Sequence, residues 1–227
     1  MTLEPLTEPP MAATESELPM FVLTERPSIY LASQSPRRQE LLRQIGVEFE
    51  ELLPREAAGR RRDVLEVPRK DETPLDYVKR IARTKAAVGW HRMGRRGLTP
   101  KPVLAADTEV AVDGAVLGKP EDAASAVGML ERLSGRAHDV LTAVAVRWNA
   151  QIALGVSASR VTFRALGRDE IERYVATGES FGKAGGYAVQ GRAAIFIRRL
   201  EGSYSGVMGL PLYETAEILS KIGYHVI

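Results

Sequence analysis

Ile29-Tyr30-Leu31-Ala32-Ser33-Gln34-Ser35-Pro36-Arg37-Arg38-Gln39-Glu40-Leu41-Leu42-Arg43-Gln44-Ile45-Gly46 reads as a strand, a polar loop and a helix in direct succession. Ile29 to Ala32 is an apolar run suited to a buried strand, and Leu41, Leu42 and Ile45 recur at helical spacing until Gly46 supplies a stop. Ser35 is placed as the N-cap and Pro36 as the first helical residue, with Gln39 positioned to reach back much as in a capping box. Two hydroxyls, Ser33 and Ser35, and two guanidinium groups, Arg37 and Arg38, fall between strand and helix. A helix N-terminus carries unpaired N–H groups and a partial positive charge, so arginines in its first turn make sense when an anion offsets them. The stretch therefore predicts a phosphate cradle; the plainer alternative is an ordinary capped helix with solvated arginines.

Upstream, the first 27 residues hold five prolines, five acids and one arginine. Residues 1–26 read as a disordered tail, and they lack the positive start and apolar run of a secretory signal. Across the 227 residues the net charge is only +2, so bulk charge does not demand nucleic acid or an anionic membrane, and any electropositive site must be local. Cysteine is absent, which removes disulfides, thiolate nucleophiles and cysteine metal sites and points to a reducing cytoplasm. Three histidines argue against a histidine-rich zinc site, and no apolar stretch approaches the roughly 20 residues of a membrane span.

Downstream, Val47–Leu53 reads as a strand and Pro54–Lys70 as a mobile, arginine-rich loop. Thr73 caps a helix that starts at Pro74, runs past Ile81 and Ala86, and carries Lys79, Arg80, Arg83 and Lys85 on its polar face. Val103–Ala106 is a continuous apolar run for a strand buried on both faces, ending at Asp107-Thr108, with a hairpin around Asp113-Gly114 beyond it. A helix from Glu121 or Asp122 to Leu133 precedes strands expected at Asp139–Trp148, Ala150–Ser157 and Ser159–Ala165. Then come a helix at Asp169–Ala176, a strand at Ala193–Ile197 and a helix from Leu212 through Lys221. Helices and strands mixed without regular alternation imply an α/β domain over residues 27–227 with a mixed twisted sheet flanked by helices.

Asp107 stands where open α/β sheets place ligand-binding groups, and its carboxylate suits a general base or a metal ligand; a turn or cap residue is the alternative. Lys119, held between Gly118 and Pro120, offers a point charge for phosphate, or simply a charged turn. His138 reads as structural rather than catalytic. Thr177 to Gly191 is rich in glycine and presents Glu179, Lys183 and Gln190 on loop backbone; the Gln190 amide can both donate and accept at a nucleobase edge. A merely flexible surface loop is the alternative.

Ser33-Gln34-Ser35-Pro36-Arg37-Arg38, Ala106-Asp107-Thr108, Leu117-Gly118-Lys119-Pro120, Leu133 to Thr142 and Lys183 to Gly191, in this order, resemble the Maf family of nucleotide pyrophosphatases over about Ser28 to Ile227. The resemblance implies two lobes around a central cleft, a divalent cation (Mg2+ or Mn2+), and hydrolysis of nucleoside triphosphates to monophosphate and pyrophosphate. That activity carries a nucleotide-pool house-cleaning role linked to cell-division arrest. It implies Asp107 as proton acceptor, Lys85 and Lys119 as further catalytic-site lysines, and Ser33, Ser35, Arg37 and Arg38 as substrate-binding residues. Leu65-Glu66 stands where the family commonly has an Asp-Glu pair, so Glu66, with Glu179, is the expected metal holder. Arg37, Thr108 and Gln190 resemble the subgroup acting on dTTP and UTP rather than the one acting on 7-methyl-GTP. The expected partners are the nucleoside triphosphate and a second copy of the chain, with no membrane and no stable nucleic-acid complex. The competing class is a non-catalytic nucleotide or nucleic-acid-binding regulator, favoured by the 14 basic against 6 acidic residues of region 54–101. Against it, that region offers only Tyr77 and Trp90 as stacking platforms.

Overall fold

The computed structural model describes residues 28–53, 64 and 66–227; the amino-terminal tail and most of the arginine-rich loop lie outside the described residues. In chain order the elements are β1 (Ile29–Leu31), α1 (Pro36–Gln44), β2 (Phe49–Glu51), α2 (Pro74–Arg95), β3 (Val103–Val112), β4 (Ala115–Val116), α3 (Ala123–Leu133) and β5 (Ala137–Trp148), then β6 (Gln151–Phe163), α4 (Arg168–Ala176), β7 (Ile197–Glu201), α5 (Tyr204–Met208) and α6 (Leu212–Ser220). Seven strands form one mixed sheet in the order β2-β1-β3-β5-β6-β7, with β4 hairpinned onto β3. β1 pairs in parallel with β2 and β3, and the remaining pairs are antiparallel. The expected mixed α/β sheet is the observed one.

Side chains alternate across a strand, and that period of two sorts the core. On one face Ala105 and Ala111 of β3 and Leu141, Ala143 and Ala145 of β5 pack against Tyr77, Ile81, Ala82 and Ala86 of α2. The other face carries two separate cores. Leu104, Ala106, Val144 and Val146 pack with Leu41 and Leu42 of α1 and Ile218 and Leu219 of α6. Val110, Val112, Val140 and Phe163 pack with Leu130 and Leu133 of α3 and Ile171 and Tyr174 of α4. Two helical lobes thus rise from the same face of one sheet, and a cleft separates them.

Local chemistry accounts for the ends. Thr73 Oγ1 accepts from the Asp76 N–H at 3.1 Å, capping α2, and Asp122 and Ser125 form a reciprocal capping box on α3. At α1 the expected cap is not made: the Ser35 side chain caps nothing and Gln39 instead accepts from Arg43. Ser33 organises the turn in its place, its Oγ accepting from the Ser35 N–H at 3.2 Å.

Three strand expectations change. β3 does not end at Asp107; nine consecutive pairs with β5, Val103↔Arg147 to Ala111↔Asp139, carry it through the polar triplet Asp107-Thr108-Glu109. β6 is one strand where two were expected, because Ser157 and Ser159 are buried and Ser159 Oγ accepts from the Ser203 N–H at 3.0 Å. Arg192–Phe196 winds into a 3₁₀ turn rather than a strand, since the Glu179 carboxylate takes the N–H groups of Arg192 and Ala193.

Candidate active site

β1 stops at Leu31, last pairing with Leu104, and β4 begins only opposite Ala111. Between these points no described strand covers that edge of β3. Asp107 and Glu109 project from one face of this notch and Thr108 from the other. α1, starting just after β1, sets its first turn beside it.

On the α2 face Lys85 Nζ lies 2.7 Å from Asp107 Oδ1 and 2.6 Å from Glu66 Oε1. The structure therefore brings together Asp107, Lys85 and Glu66, three expected site residues from well-separated parts of the chain. Asp107 is 5% exposed, and its Oδ2 is buried without a hydrogen-bond partner. Glu109 was not singled out from sequence. It is 9% exposed, with Oε2 likewise buried and unpartnered. Burial and then the Asp107 charge push its carboxyl up to about 8, against the pull of Lys119 and Lys85. The same carboxylates, after burial, raise the Tyr77 hydroxyl of α2. The available signal was Glu109 standing two residues beyond Asp107 in an otherwise aliphatic strand.

On the opposite face lies an open cleft. Ser35, Arg37, Arg38, Thr108, Lys119, Lys183 and Gln190 line it together with the apolar wall of Val110, Val140 and Tyr187. Four cations around one opening suit a polyanion. Burial and then the like charge of Arg37 lower the Lys183 ammonium. Gly185, at φ 66°, lets the loop dock: its N–H donates to the Gly118 carbonyl at 2.8 Å, and a Cβ there would stand 2.9 Å from Val110.

The arginines divide their duties. Arg38 is held by the protein: Nε donates to the Gly209 carbonyl at 2.8 Å, Nη1 to Ser33 Oγ at 3.2 Å and Nη2 to Thr108 Oγ1 at 3.3 Å. Arg37 lines the cleft. Thr108 is thus tied to Arg38, and it lines the cleft together with Arg37 and Gln190.

Thr142, fully buried, fixes the Thr108 hydroxyl. Thr142 Oγ1 lies 2.8 Å from the Gly206 carbonyl and 3.0 Å from Thr108 Oγ1. A hydroxyl has one hydrogen and a carbonyl only accepts, so the Thr142 hydrogen goes to Gly206 and the Thr108 hydrogen closes the second contact. Arg38 fills one Thr108 lone pair. What Thr108 presents to the cleft is the other, an acceptor. Gly206 is required at this close approach, since a Cβ would meet Ser157 Oγ at 2.8 Å.

Glu179 does not join these residues. Its carboxylate accepts from the Tyr174 hydroxyl at 2.9 Å and from the Arg192 and Ala193 N–H groups. Burial pushes it up, but those donors outweigh burial and hold it below the usual carboxylate range. It shapes the loop rather than facing the notch. His138 is buried, its Nε2 2.8 Å from the Tyr187 hydroxyl, behind the cleft wall.

The family model for Maf-like protein matches residues 28–222. The chain belongs to this family. Among curated relatives, the dTTP/UTP pyrophosphatase of Nitrosomonas europaea is 52% identical over 198 residues, covering 87% of this chain and 96% of its own length. That of Cupriavidus metallidurans is 53% identical over 197 residues, covering 87% and 98%. That of Burkholderia pseudomallei is 51% identical over 204 residues, covering 89% and 97%. Among the described residues of this Maf-like chain no helix is long and apolar enough to cross a membrane.

Proposed function

We propose that this chain hydrolyses dTTP and UTP to the monophosphate and pyrophosphate, clearing them from the nucleotide pool. The observation that carries the reading is the notch in β3, where a cationic cleft with a fixed acceptor at Thr108 opens beside the Asp107–Lys85–Glu66 cluster. The relatives' activity agrees with it.

Uracil and thymine carry an N3–H between two carbonyls, and a fixed acceptor at Thr108 with the Gln190 amide at the rim matches that edge. Cytosine puts an acceptor at N3, facing the Thr108 lone pair. Arg37, Lys119 and Lys183 offset charge on the phosphate oxygens and on the departing pyrophosphate. Asp107 Oδ1 stays on Lys85 while Oδ2 takes a proton from the attacking water. The water oxygen bonds to the α-phosphorus, and the bond from that phosphorus to pyrophosphate breaks.

A carboxylate oxygen suits a hard cation, and Glu66, held by Lys85 beside Asp107, would hold Mg2+ or Mn2+. Among the described residues no three acidic or histidine side chains form a ready cage, so water and phosphate oxygens would complete the shell. When bound, such an ion neutralises phosphate charge and makes the attacking water more acidic.

Pyrophosphate release from UTP, dTTP, CTP, GTP and 7-methyl-GTP tests the reading. A mismatched buried polar edge costs about 1–3 kcal/mol, so UTP and dTTP should exceed CTP by roughly one to two orders of magnitude in kcat/KM. Gln190→Ala should shrink that gap more than it slows the poorest substrate. A preference for 7-methyl-GTP, or none, overturns the substrate assignment; no pyrophosphate from any of the five overturns the enzymatic reading.

A further inference from the structure

Glu179 has no part in the chemistry above, yet three donors converge on it. Oε1 accepts from the Tyr174 hydroxyl at 2.9 Å and from the Ala193 N–H at 3.4 Å, and Oε2 accepts from the Arg192 N–H at 3.0 Å. Tyr174 belongs to α4 and is buried, whereas Arg192 and Ala193 open the 3₁₀ turn just beyond Gln190. The carboxylate therefore fastens the chain that follows Gln190 to the core of its lobe. Its approach is close enough to dictate the residue between. Gly191 sits at φ −102°, outside the left-handed region that calls for glycine, but a Cβ there would stand 2.5 Å from Glu179 Oε2.

Gln190 is exposed and lines the cleft, so its amide goes where its backbone carries it. Upstream the same loop is docked by the Gly185 N–H on the Gly118 carbonyl and by the Tyr187 hydroxyl on His138 Nε2. Downstream the two backbone contacts are made to a charged group, and charge-assisted hydrogen bonds are about twice as strong as neutral ones. The turn also has a hold that does not need Glu179: Phe196 packs edge-on to the Tyr174 ring, centroids 5.1 Å apart. Replacing Glu179 thus loosens the backbone beside Gln190 and leaves the lobe packed.

We propose that Glu179 is a positioning residue for base selection: by holding the Arg192 and Ala193 N–H groups it fixes the Gln190 amide against the pyrimidine edge. The inference rests on the reading of Gln190 as a base-edge contact.

The test is equilibrium binding of UMP and CMP to the wild type and to Glu179→Gln, read by calorimetry. Glutamine keeps the length but offers one acceptor oxygen, and its NH2 group would face a backbone N–H, donor against donor. The ratio of the CMP Kd to the UMP Kd should fall at least about fivefold from its wild-type value. Loss of the Glu179 charge also reaches Lys183, but that acts on both nucleotides alike and leaves the ratio alone. In a Gln190→Ala background, Glu179→Gln should change the ratio by less than about twofold, a non-additivity that a general loss of structure would not produce. Glu179→Ala covers the case in which the glutamine variant does not fold, with the same fall expected. A ratio within about twofold of wild type in either folded variant, or equal effects with and without Gln190, overturns the role of Glu179. Wild type that binds UMP and CMP equally overturns the base-edge reading and this inference with it, whereas a wild-type preference kept in the variant overturns this inference alone.

Discussion

Lys85 Nζ holds Asp107 through Oδ1 at 2.7 Å and leaves Oδ2 buried and without a hydrogen-bond partner. Asp107→Asn preserves the shape and the hydrogen bond from Lys85 but cannot take a proton. The loss in kcat on UTP should be at least about 100-fold, the lower range for removal of a general base, with nucleotide affinity retained. Single-turnover rates and equilibrium binding check this; a kcat within a few-fold of wild type would remove Asp107 from the proton-accepting role.

Thr142 never reaches the cleft, but it sets which way the Thr108 hydroxyl points. Thr142→Val is close to isosteric and frees that hydroxyl to donate as well as accept. Discrimination between UTP and CTP should fall about tenfold, near 1.4 kcal/mol, chiefly through KM. The lost hydrogen bond to Gly206 should cost stability on the order of 1 kcal/mol. Comparing kcat/KM for the two nucleotides decides it, and unchanged discrimination would show that the relay does not govern base choice.

Arg37 and Arg38, adjacent in sequence, should separate in experiment. Arg38→Lys loses the fork that joins Gly209, Ser33 and Thr108, so its melting temperature should drop while Arg37→Lys melts as wild type. Arg37→Lys should instead raise KM for triphosphate. Thermal melts and steady-state kinetics on the pair provide the check, and equal melting temperatures would contradict the assignment of Arg38 to structure.

His138 is buried and neutral, its pKa lowered by that burial from 6.5 to about 4. The unfolded chain therefore binds a proton between those values that the folded chain does not. Its contribution is fully present above about pH 6.5 and is lost as pH falls toward 4, integrating to roughly 3 kcal/mol. Chemical denaturation at pH 7 and pH 4.5 should show a smaller loss for His138→Phe than for wild type. Equal losses would assign the acid sensitivity to other groups.

Much of this was legible in the chain. The strand–loop–helix around Ser33 to Arg38, the Thr73 cap, the helix start near Asp122 and the Asp113-Gly114 turn are set by neighbours a few residues away, and those readings hold. What escaped depends on partners far along the chain. β3 continues past Asp107 because β5 pairs with it, and Ser157 and Ser159 stay in one strand because α5 lies over them. Glu179 looked like a metal holder, yet Tyr174 and two loop N–H groups claim it. Glu109 is buried because α2, distant in the chain, covers that face of β3.

The interrupted pairing of β3 gives adjacent residues opposite jobs. Because successive side chains point to opposite sides, position 108 faces the cationic cleft while positions 107 and 109 face α2, where Lys85 holds Asp107, and only the thickness of one backbone lies between. Substitutions at even positions alter the cleft wall and leave the Asp107–Lys85 pair alone, and the converse holds at odd ones. The same arrangement penalises a slip of register: a shift by one residue would carry a carboxylate into the base cleft and a hydroxyl onto Lys85. The long antiparallel ladder with β5 therefore guards substrate choice and bond cleavage together, which makes the register of that ladder, more than any one side chain in it, the feature on which divergence of this scaffold toward other nucleotides depends.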